Sequence, residues 1–198
     1  MKKLLLTGYE PFLDFKTNPT ESAVKYLDGQ TIGDYKITGR VYPVVFDEIK
    51  SLIQEDIDTI QPDAVINLGL AGGIHTIDLD RIAINCRDGK KDNSGYKPDG
   101  EKIETEGADG IFSTLPLKKL EKTLLESDIP ARITNSAGTY LCNNLMYSTL
   151  YYLQNKNMNV PAGFIHTPAN HEIGSALQKP SWSQKDINDA VKLIIESL

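Results

Sequence analysis

Apolar residues recur along the chain with two periods, which predict strands that alternate with helices. The run Lys2–Gly8 and the segment 63–70 are short and almost continuously apolar, as buried strands are. Between them, isoleucine and leucine repeat at helical spacing over residues 49–60 until Pro62 stops the pattern. A last amphipathic helix is predicted after a cap at Ser183. This alternation implies a largely parallel sheet covered on both faces.

The remaining pattern predicts further elements and one long connection. Asn18 is suited to cap a helix whose first residue is Pro19, with Glu21 completing a capping box. Residues 77–86 read as one strand, and residues 87–110 are so polar and glycine-rich that they predict a long loop or lid, or plain solvated surface. The other predicted elements are strands over 35–46 (irregular at its end), 131–135 and 162–168, and helices over 117–125 and from about residue 141.

Length, charge and cysteine content narrow the class of protein. A chain of 198 residues fits one domain, 1–198, and its net charge of -6 disfavours nucleic acid and anionic membrane surfaces as partners. The apolar run near the start is too short for a signal peptide or a membrane span, so a cytoplasmic protein is expected. Two cysteines are too few for a secreted disulfide framework, and both are expected to be free thiols.

Three predicted strand ends carry residues that could perform catalysis. Cys142 lies near the start of a helix, where backbone N–H groups and the helix dipole favour a thiolate. His166 ends the strand 162–168 and could act as a base toward that thiol, with Asp78 or Asp80 orienting its ring. Each residue has an ordinary alternative: a packed cysteine, a core histidine and an aspartate paired with a cation. The sequence leaves these alternatives open.

The other cysteine, histidines and glycines suggest no second site. We assign Cys86 to packing, and His75 and His171 to loops whose spacing supports no metal site. The loop Gly69–Gly73 lacks the lysine and serine of a P-loop and the three-glycine spacing of a dinucleotide-binding turn. We therefore expect its glycines to let the backbone approach a small ligand or Cys142 closely.

Four blocks of sequence occur in a specific order and spacing. They are "LLLTGYEPFLDFKTNP", "GLAGGIHTIDLDRIAIN", "NSAGTYLCNNLMY" and "GFIHTP". Together they resemble the pyroglutamyl peptidase I family of cysteine peptidases over nearly the whole chain. The resemblance implies a three-layer α/β/α sandwich with a mostly parallel central sheet, usually assembled as a homotetramer, with no metal or cofactor. It also implies hydrolysis of the amide bond that follows an N-terminal pyroglutamate.

The resemblance assigns roles to individual residues. Cys142 matches the family's nucleophile and His166 its general base. Asp80 occupies the position of the family's glutamate, immediately before Arg81. Because aspartate is one methylene shorter, we expect its carboxylate to reach the imidazole only through a shift of the strand or a bridging water.

The expected substrate is a small neutral lactam, for which a pocket needs apolar walls and a few backbone hydrogen bonds. Tyr9 and Phe12 resemble the family's aromatic walls. Tyr140 and Leu141 would close the pocket beside the nucleophile, and Leu70 would line it. Ordinary core packing is the alternative for these residues, and for Tyr140 the two are equally supported.

Several positions depart from the family pattern. Leu70 and Ile74 stand where many bacterial members have glutamine and arginine, and residues 11–14 read "PFLD" where "PFGG" is common. Lys90 stands near a basic residue that assists the oxyanion in the family. These departures keep two alternatives open. One is a related cysteine amidase acting on another small cyclic or acyl amide, and the other is a catalytically weakened homologue that binds pyroglutamyl peptides.

Overall fold

A seven-stranded mixed sheet forms the centre of the computed structural model, which describes residues 1–12 and 15–198. Leu13 and Asp14, the two positions at which "PFLD" departs from "PFGG", lie outside the described residues. The strands are β1 (Lys2–Tyr9), β2 (Thr31–Ile32), β3 (Tyr35–Tyr42), β4 (Ala64–Leu70), β5 (Ile77–Asp80), β6 (Ile82–Ile84), β7 (Arg87–Asp88), β8 (Asp99–Glu101), β9 (Gly110–Phe112), β10 (Ala131–Thr134), β11 (Ala162–Thr167), β12 (Ala169–Asn170) and β13 (Ser181–Trp182). The helices are α1 (Pro19–Leu27), α2 (Phe46–Ile60), α3 (Leu117–Glu126), α4 (Leu141–Asn155), α5 (His171–Leu177) and α6 (Gln184–Glu196).

The strand order of the central sheet is β10, β5, β11, β4, β1, β3, β2. Most neighbouring strands run parallel, as the sequence predicts, but β5 is antiparallel to β11 and β2 is antiparallel to β3. The parallel strands β11, β4 and β1 end at the same edge of the sheet, where ligands collect in folds of this kind.

Two apolar cores, one on each face of the sheet, make the fold a three-layer α/β/α sandwich. Alternate residues of β1 divide between them: Leu4 and Leu6 pack on one side and Leu5 on the other. Helices α1, α3 and α6 cover the first face, and α2 and α4 cover the second. The predicted fold class is confirmed. Among the described residues, no helix combines the length and the apolar character that crossing a bilayer requires.

Local capping explains where several helices begin. The Asn18 side chain accepts a hydrogen bond from the Thr20 amide at 3.0 Å, which caps α1 as predicted, while Glu21 pairs with Lys25. Ser183 caps α6 in the same way. In the described structure, Tyr140 gives the first turn of α4 no such side-chain cap. The first N–H groups of α4 therefore remain available to another acceptor.

The prediction of one strand over 77–86 is wrong. The segment forms β5 in the central sheet and β6 in a separate pair with β9. The chain changes partners at Arg81, whose N–H donates to the Thr134 carbonyl and whose carbonyl accepts from Ser113 N–H. Asp80 is consequently the last residue of its strand.

Residues 87–110 do not form one long loop, contrary to the prediction. The strands β7 and β8 pair within this segment, and β9 begins at Gly110. Asp92 is buried, and its Oδ2 accepts a hydrogen bond from Phe46 N–H at 2.9 Å, which caps α2. Polar side chains that bond to the backbone order the segment, together with Tyr96 and Ile103, which pack against the apolar core. His171, predicted to lie in a loop, instead begins α5 after the cap Asn170.

Candidate active site

Cys142 lies in the first turn of α4, where contacts from distant segments hold it. The Tyr9 hydroxyl donates to the Leu141 carbonyl at 2.7 Å, and the Asn143 side chain accepts from Ile84 N–H at 2.8 Å. A Cβ atom added to Gly69 would lie 2.9 Å from the Cys142 Sγ. The absent side chain of Gly69 thus provides space for the sulfur, which fits the close approach expected of this glycine loop.

His166 and Asp80 are in direct contact. The His166 Nδ1 lies 2.8 Å from the Asp80 Oδ2, and the two side chains are 13% and 1% exposed. The contact is direct, so no bridging water is needed to join them. The shorter carboxylate reaches the ring because β5 lies directly beside β11.

The two candidate aspartates have different partners. Asp78 accepts hydrogen bonds from Arg132 at 2.8 and 2.7 Å and from the Thr76 hydroxyl at 2.5 Å. The Oδ1 of Asp80 accepts from the Thr134 hydroxyl, and its Oδ2 faces the imidazole. Asp78 is therefore neutralised by a guanidinium, while Asp80 is the acid placed to orient a histidine.

The electrostatics of His166 favour an imidazolium. Burial by itself lowers the pKa of His166, but the neighbouring Cys142 and Asp80 raise it well above its ordinary value through charge and hydrogen bonding. With Nδ1 directed at a carboxylate, Nε2 is the ring nitrogen that can exchange a proton with the sulfur. In addition, β11 places His166 in register with Gly69, the residue that lies against Cys142.

Cys142 and His166 line a cavity of about 230 Å³. Its lining consists of Tyr9, Phe12, Asn18, Val44, Leu70, Ala137, Tyr140, Leu141, Cys142 and His166. All five residues predicted to contact substrate are among them. The sequence reading identified Asn18 only as a helix cap, and it missed Val44 and Ala137, which carry no chemical signature.

The polar side chains of this cavity are engaged with the protein. The Tyr140 hydroxyl donates to the Lys91 carbonyl at 3.0 Å, and the Asn18 amide donates to the Glu10 carbonyl at 3.1 Å. Burial raises the pKa of Tyr140 to about 12, with further contributions from Asp92 and Cys142. The polar groups of Tyr140 and Asn18 are thus bonded to the backbone, and the walls present mainly apolar surface.

A second cavity of about 330 Å³ shares Phe12 and Tyr140 with the first and extends to Asp88 and Lys90. Lys90 is exposed and is not among the residues that line the first cavity. Ile74 also lies outside that lining. Among the described residues that depart from the family pattern, Leu70 therefore lines the cavity beside Cys142, whereas Ile74 and Lys90 do not.

Comparison with known proteins identifies the family. The family model described as pyroglutamyl peptidase matches residues 2–198. The chain belongs to the pyroglutamyl peptidase family. It is 47% identical to a pyrrolidone-carboxylate peptidase of Oceanobacillus iheyensis, with 100% of both chains covered. A second relative of the same name, from Pyrococcus furiosus, is 44% identical and covers 98% of this chain and 96% of its own length.

Solved structures of the family have the same fold. Pyrrolidone carboxyl peptidase from Thermococcus litoralis superimposes with a TM-score of 0.96 at 39% identity, covering 100% of this chain and 93% of the other. This pyroglutamyl peptidase family member nevertheless has aspartate at the position where the family resemblance leads us to expect glutamate. The 2.8 Å contact between Asp80 and His166 makes that departure compatible with a complete acid, histidine and cysteine arrangement.

Proposed function

We propose that this protein is a cysteine peptidase that hydrolyses the amide bond after an N-terminal pyroglutamate and releases free pyroglutamate. The observation that carries the proposal is that Cys142 and His166 both line a small apolar cavity, while Asp80 lies 2.8 Å from the His166 Nδ1. At about 230 Å³, this cavity is smaller than the roughly 300–1,000 Å³ of sites for drug-sized ligands. Its size suits a single five-membered lactam.

In the proposed reaction, the Cys142 thiolate attacks the carbonyl that joins pyroglutamate to the next residue. His166 takes the thiol proton and later gives a proton to the leaving amine, while Asp80 holds the ring and stabilises the imidazolium. The uncapped N–H groups at the start of α4 would receive the oxyanion. Water then hydrolyses the thioester and regenerates the thiol.

The character of the cavity supports selection of a neutral N-terminus. Among the described residues that line it there is no carboxylate, lysine or arginine, and Tyr9, Phe12, Leu70 and Tyr140 supply much of its wall. A free amino terminus would lose its hydration there without gaining a counter-charge, at a cost of several kcal/mol. A lactam carries no such charge, so peptides with an unmodified N-terminus should be rejected.

The test is release of a fluorogenic amine from its pyroglutamyl derivative under reducing conditions, with the corresponding prolyl derivative as the matched substrate. Prolyl differs by a charged ring nitrogen in place of the lactam, so only the pyroglutamyl compound should be cleaved. Cys142→Ala should abolish release while the protein unfolds at an unchanged urea concentration, and Cys86→Ser should retain activity. Cleavage of both substrates, or full activity of Cys142→Ala, would reject the proposal.

The two other hypotheses make different predictions in the same experiment. A cysteine amidase for other cyclic or acyl amides, suggested by Leu70, would prefer another member of an acyl-amide panel. A binding protein without catalysis would bind pyroglutamyl peptides without turnover. The direct contact between Asp80 and His166 weighs against the binding protein, because such a protein has no need of an oriented histidine beside a thiol.

We also propose a cytoplasmic homotetramer. The family resemblance and the free thiols Cys86 and Cys142 support these assignments. Light scattering on the eluted protein at several concentrations would test the assembly, and a monomeric mass at all of them would reject it.

A further inference from the structure

A threonine outside the substrate cavity is bonded to the acid of the candidate active site. Thr134 is the last residue of β10, which runs parallel to β5 with Thr134 paired to Asp80. Its hydroxyl donates to the Asp80 Oδ1, the carboxylate oxygen that does not face His166. We propose that Thr134 is a positioning residue that sets the Asp80 carboxylate against the imidazole. This inference rests on the proposed function of the same site.

Asp80 is isolated from solvent and has few hydrogen-bond partners among the described residues. Its side chain is 1% exposed, so water cannot readily replace a missing donor. Among the described residues its hydrogen-bond partners are His166 and Thr134, and no arginine or lysine neutralises it. A buried carboxylate with so few donors depends strongly on each of them.

Thr134 also fixes the backbone beside the acid. Its carbonyl accepts a hydrogen bond from Arg81 N–H at 2.9 Å, at the point where the chain leaves the central sheet. One residue therefore holds both the carboxylate and the turn that follows it. Because aspartate is shorter than glutamate and has fewer rotamers, a fixed Oδ1 determines where Oδ2 lies relative to the His166 Nδ1.

Asp78, which lies on β5 with Asp80, offers a matched control. The Thr76 hydroxyl donates to the Asp78 Oδ1 at 2.5 Å, which is the same type of bond to the aspartate two residues earlier. Asp78, however, pairs with Arg132 rather than with the histidine. Removing the Thr76 hydroxyl should affect stability and leave the chemistry unchanged, whereas removing that of Thr134 should affect both.

The experiment compares Thr134→Val, Thr134→Ala, Thr134→Ser and Thr76→Val. We expect the two Thr134 variants without a hydroxyl to lose about tenfold in kcat/KM, or about 1.4 kcal/mol. The loss should fall on kcat, because Thr134 does not line the substrate cavity. The alkaline limb of their pH profile should move to lower pH, since a loosely held carboxylate stabilises the imidazolium less. Thr134→Ser should recover most of the activity and the original profile.

A second measurement separates this inference from the proposed function. In a Cys86→Ser background, alkylation of Cys142 by iodoacetamide can be followed by mass spectrometry without any substrate. Alkylation at mildly acidic pH depends on how readily the His166 imidazole takes up the thiol proton, so it should slow about tenfold in Thr134→Val and Thr134→Ala. If the wild-type protein cleaved no pyroglutamyl substrate but the Thr134 variants were still alkylated more slowly than it, the proposed function would be rejected. The positioning role of Thr134 would then still be supported.

Urea unfolding identifies any variant that does not fold. If only one of Thr134→Ala and Thr134→Val folds, the test is made with that variant. The inference is overturned if either folded variant matches Thr76→Val in kcat, pH profile and alkylation rate. It is also overturned if Thr134→Ser behaves like Thr134→Val, because the hydroxyl would then not be the group that matters.

Discussion

Replacing Asp80 with asparagine should sharply reduce turnover because it removes the only carboxylate that contacts the imidazole in the described structure. The Asp80 Oδ2 lies 2.8 Å from the His166 Nδ1, and at an effective dielectric constant of about 20 this contact corresponds to about 6 kcal/mol of attraction. That value is a ceiling, because desolvation of the buried pair opposes it. We expect kcat/KM to fall by between about 10² and 10⁴.

The pH profile of Asp80→Asn should show in which direction the loss of the carboxylate shifts the pKa of His166. In the wild-type protein, Cys142 and Asp80 raise the pKa of His166 well above its ordinary value against the opposing influence of burial. Removing one of these charges lowers that pKa, so the imidazolium is lost at lower pH. The alkaline limb of kcat/KM should therefore move to lower pH, and NMR titration of the His166 ring should report the same direction.

Asp78→Asn is the control for this experiment. Asp78 lies on the same strand and is 5% exposed, but its charge is matched by Arg132. Its replacement should lower the free energy of unfolding and leave the position of the alkaline limb unchanged. If Asp80→Asn kept its kcat/KM within about threefold of wild type, or if Asp78→Asn shifted the limb equally, the assignment of Asp80 would be wrong.

Three further changes test the surroundings of the site. Gly69→Ala places a Cβ 2.6 Å from the Phe164 ring and 2.9 Å from the Cys142 Sγ, and should cost at least about tenfold in kcat/KM. In Gly72→Ala the new Cβ meets only the end of the Leu177 side chain at 3.3 Å and activity should be kept, so equal activities of the two variants would contradict the packing argument. Tyr9→Phe should lower the free energy of unfolding by about 1–2 kcal/mol with KM nearly unchanged, and a large rise in KM would show that the hydroxyl contacts substrate. Ser183→Ala should cost about 1 kcal/mol in urea unfolding without affecting activity.

Local signals in the sequence were sufficient for most elements of the fold. Apolar runs and periods depend only on neighbouring residues, so they predicted β1, α2 and α6 near their observed positions. The caps at Asn18 and Ser183 are also local, because each accepts a hydrogen bond from an amide within three residues. Cys142 and His166 lie near the ends of predicted elements, which made them candidates, and the family resemblance assigned their roles.

Interactions between distant residues were decided by the tertiary structure. Strand alternation places Asp78 and Asp80 on the same face, so the sequence pattern could not choose between them. The neighbours on adjacent strands distinguish the two aspartates. Arg132 pairs with Asp78, and His166 contacts Asp80 although His166 lies opposite Asp78 in the strand register. Likewise, segment 87–110 is ordered by bonds such as that from Phe46 N–H to Asp92, which local composition does not reveal.

The sequence by itself determined the main strands and helices, such as β1, α2 and α6, and the chemical groups available to the site, because both are properties of the chain and its short-range periods. Only the tertiary structure decided that β5 turns antiparallel beside β11 and brings Asp80 to the imidazole. The physical reason is that a contact across 86 residues depends on the packing of the whole sheet. No local preference of either residue specifies it.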